Sequence, residues 1–123
     1  MQIEVSNGEI IDKLTILEIK LEKITDKQKL KNIRNEYDTL VKVAYTILDK
    51  NDPLYKDLKE INLQLWDIED QCRDFERKKE FGKAFIHTVR QVYINNDERA
   101  RLKKEINLKT GSSLTEEKSY QEY

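Results

Sequence analysis

Apolar residues recur every three or four positions along most of this chain, and the longest ladders flank its single proline. The first ladder runs Leu30, Ile33, Tyr37, Leu40, Ala44, Ile47; the second runs Leu54, Leu58, Ile61, Leu65, Ile68, Cys72, Phe75. Such steps keep side chains on one stripe of a helix, so each ladder predicts an amphipathic helix. Between them, Asp49-Lys50-Asn51-Asp52-Pro53 predicts a tight connection. The two stripes are expected to fold back on each other as a helical hairpin, the nucleus of the fold.

The same spacing predicts a first helix, with Ile10, Leu14, Leu17, Leu21 and Ile24 on one stripe, widened by Ile11. In front of it, Ser6-Asn7-Gly8-Glu9 reads as a capping box, Ser6 capping the helix and Glu9 reaching back. Asp26 is placed to cap the second helix, which is expected to run to about Leu48. Asp52-Pro53 opens the third with a capping acid and a proline at the first helical position. No breaker follows before Gly82, so at 1.5 Å per residue this helix could reach roughly 40 Å.

Past Gly82 the pattern loosens. Phe85, Val89 and Val92 form one stripe, and Ile86, Val89 and Tyr93 an adjacent one. Neither continues cleanly through Asn95-Asn96-Asp97-Glu98, and Leu102 and Ile106 form a last apolar pair before Thr110-Gly111, where Gly111 suits a left-handed cap. In a continuous helix, Asn95 and Arg99, or else Asn96, would enter an apolar stripe, where a buried amide or guanidinium needs a partner. One reading is a register-setting polar layer, or a break capped by Asn95 with Glu98 three residues on. The other is a small polar site or partner surface built from Asn95, Asn96, Arg99 and Lys103. There Arg99 would offer a planar fork for a carboxylate or phosphate, with Lys103 one turn beyond on the same face.

The expected fold is therefore all-α: an antiparallel helical bundle or coiled-coil hairpin of three long helices plus a fourth, whose continuity the pattern leaves open. Residues 1–111 form the expected bundle domain. Residues 112–123 form a polar tail, either unstructured or strapped across the bundle by Leu114, Tyr120 and Tyr123.

Composition narrows the function. Charged residues make up 38% of the chain, against roughly a quarter in an average domain, and hydrophobic residues 37%, which suits long helices with narrow seams. Three glycines and one proline are too few for a turn-rich β fold. With 23 basic and 24 acidic residues interspersed, the chain lacks the net basic face that nucleic acid or an anionic membrane would need. No apolar run approaches the roughly 20 residues of a membrane span, and the N-terminus shows no signal-peptide core. The lone Cys72 lies on the third helix's ladder and reads as core packing, so a reduced, cytoplasmic protein is expected.

Candidate chemistry is sparse. Glu18 with Glu22, and Asp67 with Asp70, have the helical spacing by which helical pyrophosphohydrolases hold a metal, but none lies on an apolar seam. His87 has Lys83 and Gln91 four residues away and no acid to orient it. No catalytic residue, metal or cofactor is expected. Ile11, Ile16, Ile19, Val41, Val43, Leu48 and Leu63 lie off the main seams, with Trp66 nearby, and surplus apolar surface of this kind marks an interface.

The stretch Glu4-Val5-Ser6-Asn7-Gly8-Glu9-Ile10-Ile11-Asp12-Lys13-Leu14-Thr15-Ile16-Leu17-Glu18-Ile19-Lys20 resembles the opening of a family of small all-helical proteins from bacteria and phages. The stretch from Asn96 to Asn107, with Glu116-Glu117-Lys118-Ser119-Tyr120, resembles that family's close. The resemblance spans nearly the whole chain. It implies an all-helical fold and a gene setting rich in glycosyl-transfer enzymes, but no activity and no site residue. The leading expectation is a non-enzymatic interaction or scaffold module that self-associates, its partner a protein or a second copy. The alternative is a small ligand-binding protein or enzyme, for example a metal-dependent phosphohydrolase-like bundle, using the polar segment of the last helix.

Overall fold

Three of the four helices start where a side chain takes up an amide that the first turn leaves open. The computed structural model describes residues 1–119. Helix α1 (Asn7–Lys23) is capped by Ser6, whose hydroxyl accepts from the Glu9 N–H at 3.2 Å. Helix α2 (Lys27–Ile47) is capped by Asp26, which accepts from Lys29 at 2.9 Å. Helix α3 (Pro53–Lys78) is capped by Asp52, which accepts from Leu54 at 2.9 Å. Helix α4 (Lys83–Thr110) starts at Gly82 with no side-chain cap. Among the described residues there is no strand.

Two local expectations are corrected and one open alternative is resolved. The Glu9 carboxylate does not reach back to Ser6; Lys103 of α4 takes it instead. Helix α3 stops at Lys78, short of Gly82: Lys79 adopts the left-handed conformation at φ 54°, and the Glu80 N–H closes onto the Phe75 carbonyl at 3.0 Å. Helix α4, whose continuity was open, runs unbroken for 28 residues through Asn95-Asn96-Asp97-Glu98 and ends at Gly111, also left-handed.

The bundle is organised around α1, not around a hairpin of α2 and α3. α1 packs against each of the other helices, and α3 packs against α4, while α2 lies along α1 and approaches α3 little. The reason is the breadth of α1's buried surface. Besides Leu14 and Leu17 of the predicted stripe, it buries Gly8, Ile11, Asp12, Thr15 and Ile19, too wide a face for a single partner. Ala44 and Leu48 from the end of α2 and Tyr55 and Leu58 from the start of α3 join Ile11, Leu14, Leu102 and Ile106 in one cluster. Burying a leucine or isoleucine in such a cluster is worth about 1.5–3 kcal/mol.

α1 is short, and α3 and α4 are long. Beyond Leu65 the hairpin of α3 and α4 therefore runs on as an arm, and among the described residues from 66 to 94 only Thr88 is buried. Two edge-to-face ring pairs close its tip, Phe75 with Phe85 and Phe81 with Phe85, at 6.0 and 5.2 Å between centroids. The bundle absorbs most of the apolar residues expected off the seams. Ile11, Ile19 and Leu48 are buried, Ile16, Val41 and Leu63 half-buried, and Val43 alone of that set is exposed. The arm exposes Phe81, Ile86, Val89 and Tyr93, while outside it Val43, Tyr45 and Leu108 are the exposed apolar side chains of the helices. Among the described residues, no helix is long and apolar enough to cross a membrane.

Candidate functional site

A second face of α1, made of Gly8, Asp12 and Thr15 at helical spacing, is polar and yet buried. Gly8 permits the close approach of α4, since a Cβ there would collide with the Lys103 carbonyl oxygen. Its N–H donates to Asn107 Oδ1 at 2.6 Å, and the Asn7 side chain donates to Thr110 Oγ1 at 3.0 Å. One turn further, Asp12 is only 1% exposed. Arg99 grips it with two bonds, from Nε to Oδ1 at 2.9 Å and from Nη2 to Oδ2 at 2.5 Å. From α3, Asn62 Nδ2 donates to Asp12 Oδ1 at 2.9 Å and to Thr15 Oγ1 at 2.8 Å. A buried carboxylate is tolerated only when charge and hydrogen bonds replace water, and here an arginine fork and an amide do so.

The network then opens toward solvent. Arg99 Nη1 donates to Asn96 Oδ1 at 3.4 Å. Lys103 Nζ donates to Glu9 Oε2 at 2.7 Å and to Glu116 of the tail at 3.4 Å, and Lys104 Nζ donates to Glu117 at 3.2 Å. The hydrogen bonds and charge of Asp12 hold the Arg99 guanidinium above its ordinary pKa against the opposing effect of burial. Burial would lower the Lys103 ammonium, but the Glu9 hydrogen bond and the charges of Asp12, Glu9 and Glu116 raise it overall. Burial would likewise raise the Glu9 carboxyl, and hydrogen bonding with Lys103 and Glu116, with the Lys103 and Arg99 charges, holds it below the usual carboxylate range. Among the described residues, no buried side-chain nitrogen or oxygen lacks a partner.

Beside this network lies a cleft of about 220 Å³, its wall formed by Asn96, Arg99, Ala100, Lys103, Lys104 and Asn107 of α4 and closed over by Glu116 and Lys118 of the tail. Of the four residues singled out by sequence, Asn96, Arg99 and Lys103 share this wall. Asn95 does not: it is buried, and its amide donates to the Gln91 carbonyl one turn back, at 2.8 Å. Sequence reading missed Asp12, Asn62, Glu9 and Glu116. The available signal was the run Gly8, Asp12, Thr15, Ile19, a second stripe on α1 that begins with a glycine inside a helix.

The remaining candidates do not converge. Glu18 and Glu22 meet Lys59 rather than each other, at 2.9 and 3.1 Å, and Glu18 also accepts from the Tyr55 hydroxyl. Asp67, Asp70 and His87 are exposed, and Cys72 is half-buried. Among the described residues, no three His, Cys, Asp or Glu side chains come together as a metal site. Tyr120 and Tyr123, expected as parts of a strap, lie outside the described residues; Leu114 is exposed.

The chain belongs to a family of unknown function, DUF6165, which matches it over residues 1–123. No curated protein and no solved structure matches it.

Proposed function

Starting from membership of a family that carries no assigned activity, we propose that this protein is an interaction module whose α3–α4 arm pairs with the arm of a second copy. The observation that carries this is the arm itself, a two-helix hairpin with no third layer, bearing Ile86, Val89 and Tyr93 exposed along one stripe of α4. A two-stranded hairpin leaves the outer flank of each apolar seam in water, and stacking two hairpins into four helices removes it. The charges favour a second copy. Residues 66–78 carry five acids and three bases, whereas residues 83–94 carry Lys83 and Arg90 and no acid. Antiparallel stacking sets the acidic α3 of one arm against the basic α4 of the other, on a two-fold axis.

Light scattering at micromolar concentration tests this. The expected mass is twice 14.7 kDa, falling to 14.7 kDa in Ile86→Glu/Val89→Glu with unchanged helicity. A wild-type monomer at that concentration overturns it.

A second reading, a ligand-binding protein acting through the polar segment of α4, is favoured by a separate observation. Arg99 and Lys103 meet acids of α1, and with Asn96, which accepts from Arg99, they line one cleft instead of pointing apart into water. The phosphohydrolase-like form of that reading has less support, since the Glu18 and Glu22 carboxylates are occupied by Lys59.

A further inference from the structure

Resting on that second reading, we infer that the α4 cleft is a phosphomonoester site whose occupant in this structure is the protein's own tail, with Glu116 and Glu117 standing where a dianion would bind. The charges around the cleft balance. Arg99, Lys103, Lys104 and Lys118 bring four positive charges; Glu9, Asp12, Glu116 and Glu117 bring four negative ones. The two halves of the negative set are held differently. Asp12 is buried and doubly bonded by Arg99, and Glu9 lies at 2.7 Å from Lys103, so both are built into the contact between α1 and α4. Glu116 and Glu117 come from a segment without regular structure and reach Lys103 and Lys104 at 3.4 and 3.2 Å with their side chains mostly in water. Pairs whose carboxylate is this exposed contribute little.

A ligand that replaces both tail carboxylates and leaves the charges balanced carries two negative charges, and a cleft of about 220 Å³ suits a compact group that bears both. A phosphomonoester has about −1.5 to −2 at neutral pH and three acceptor oxygens. The donors suit it. Two of Arg99's five N–H groups are spent on Asp12, and Nη1 makes only the 3.4 Å contact to Asn96. Lys103 follows one turn later on the same face, and Ala100, lining the cleft between them, leaves room for the phosphoryl group. Asn96, on the same wall, supplies an amide to whatever the phosphate is attached to.

The tail can be displaced without unfolding the bundle. It is anchored before the cleft, where the Ser112 N–H donates to the Asn107 carbonyl at 2.9 Å and Ser112 Oγ accepts from the Asn7 N–H at 3.0 Å. Glu116 and Glu117 follow that anchor and lie outside the bundle's helices.

Calorimetric titration of the full chain with inorganic phosphate, at constant ionic strength and a pH where phosphate is a dianion, tests the inference. Phosphate is expected to bind the wild type, and to bind Glu116→Gln/Glu117→Gln roughly fivefold more tightly because the internal competitor is gone. Adding Lys104→Gln to that variant should reverse the gain. All three side chains are largely exposed, and unchanged thermal melts will show that the fold is intact. Malonate, a dianion with two carboxylates, is the parallel arm. Equal affinity for malonate and phosphate would overturn the phosphomonoester assignment and leave the ligand-binding reading standing. Phosphate affinity unchanged by loss of the tail carboxylates would overturn the tail's role as surrogate. Binding of neither anion by either protein would overturn the inference and the ligand-binding reading together.

Discussion

Leu58 and Phe75 stand on the same uninterrupted ladder of α3, yet Leu58 is fully buried and Phe75 only half so. What separates them is not their own helix but α1, which covers the first half of the α3–α4 pair and ends before the second. The body has three layers of side chains closing on each other; the arm has two. Apolar spacing records which side of a helix faces inward, and the depth of the interior depends on how many elements cover that side. Polar residues follow the same division. In the body, Asp12 and Arg99 form a buried pair, while in the arm the corresponding charges form surface pairs such as Lys78 with Asp74 at 3.0 Å.

The sharpest way to break this comparison is at the buried pair. Arg99→Ala strands the Asp12 carboxylate in the contact between α1, α3 and α4, and is expected to cost about 3–5 kcal/mol in urea melts. A loss under about 1 kcal/mol would mean water replaces the guanidinium and the contact is not closed. Arg99→Lys should recover little of the loss, because a single ammonium cannot match the two-bonded fork.

Next come two truncations on the one ladder. Leu58→Ala is expected to cost about 2–5 kcal/mol, whereas Cys72→Ala, in the arm, should stay below about 1 kcal/mol. Equal costs would show that the arm is closed by a partner under the conditions of the melt, and repeating the measurement at lower protein concentration would separate that case.

The pH dependence sharpens the comparison further. Glu9 has its carboxyl held below the ordinary range, so the stability it adds is present above the unfolded value and is lost as pH falls through the lower folded one. Asp52 behaves alike, chiefly through its hydrogen bond from Lys109. The urea midpoint of the wild type should therefore fall more steeply on acidification than that of Glu9→Gln; parallel curves would remove Glu9 from the linkage. At the other extreme, burial together with Tyr45 pushes the Tyr37 hydroxyl up to about 12, so stability present below the ordinary tyrosine value should decline as pH rises beyond it.

The smallest effect concerns the tip. Lys79 holds a left-handed conformation that costs a side-chain-bearing residue about 1–2 kcal/mol, so Lys79→Gly should stabilise the turn by up to about 1 kcal/mol. A destabilised variant would show that the lysine stem contributes packing that the backbone gain does not offset.

The helices were legible in the sequence because what starts and stops most of them is local. Ser6, Asp26, Asp52 and Gly111 each act within a few residues of where they stand. The end of α3 was not, since Lys79 gives no local cue that it will turn left-handed. The polar segment of α4 was legible as an anomaly but not as a continuous helix. The group that makes Arg99 tolerable in the body is Asp12, 87 residues away. For the same reason three of the four residues chosen there share the cleft wall, while their acidic counterparts on α1 went unread. The pairing of α2 with α3 was wrongly expected because a ladder states that a helix has a partner without saying which, and α1 offered the wider face.

The joining of the chain's two ends at Asn7, Gly8 and Asn107 sets a clock on biosynthesis. Three hydrogen bonds there link residues separated by 99 to 105 positions, so the docking of α1 onto α4 waits until the chain between them has been made. At about 5–20 residues per second, the face of α1 that meets α4 spends roughly 5–20 s on the ribosome without that cover. During that interval α2, which emerges directly after α1 and lies along it, is the first segment able to shelter Leu14.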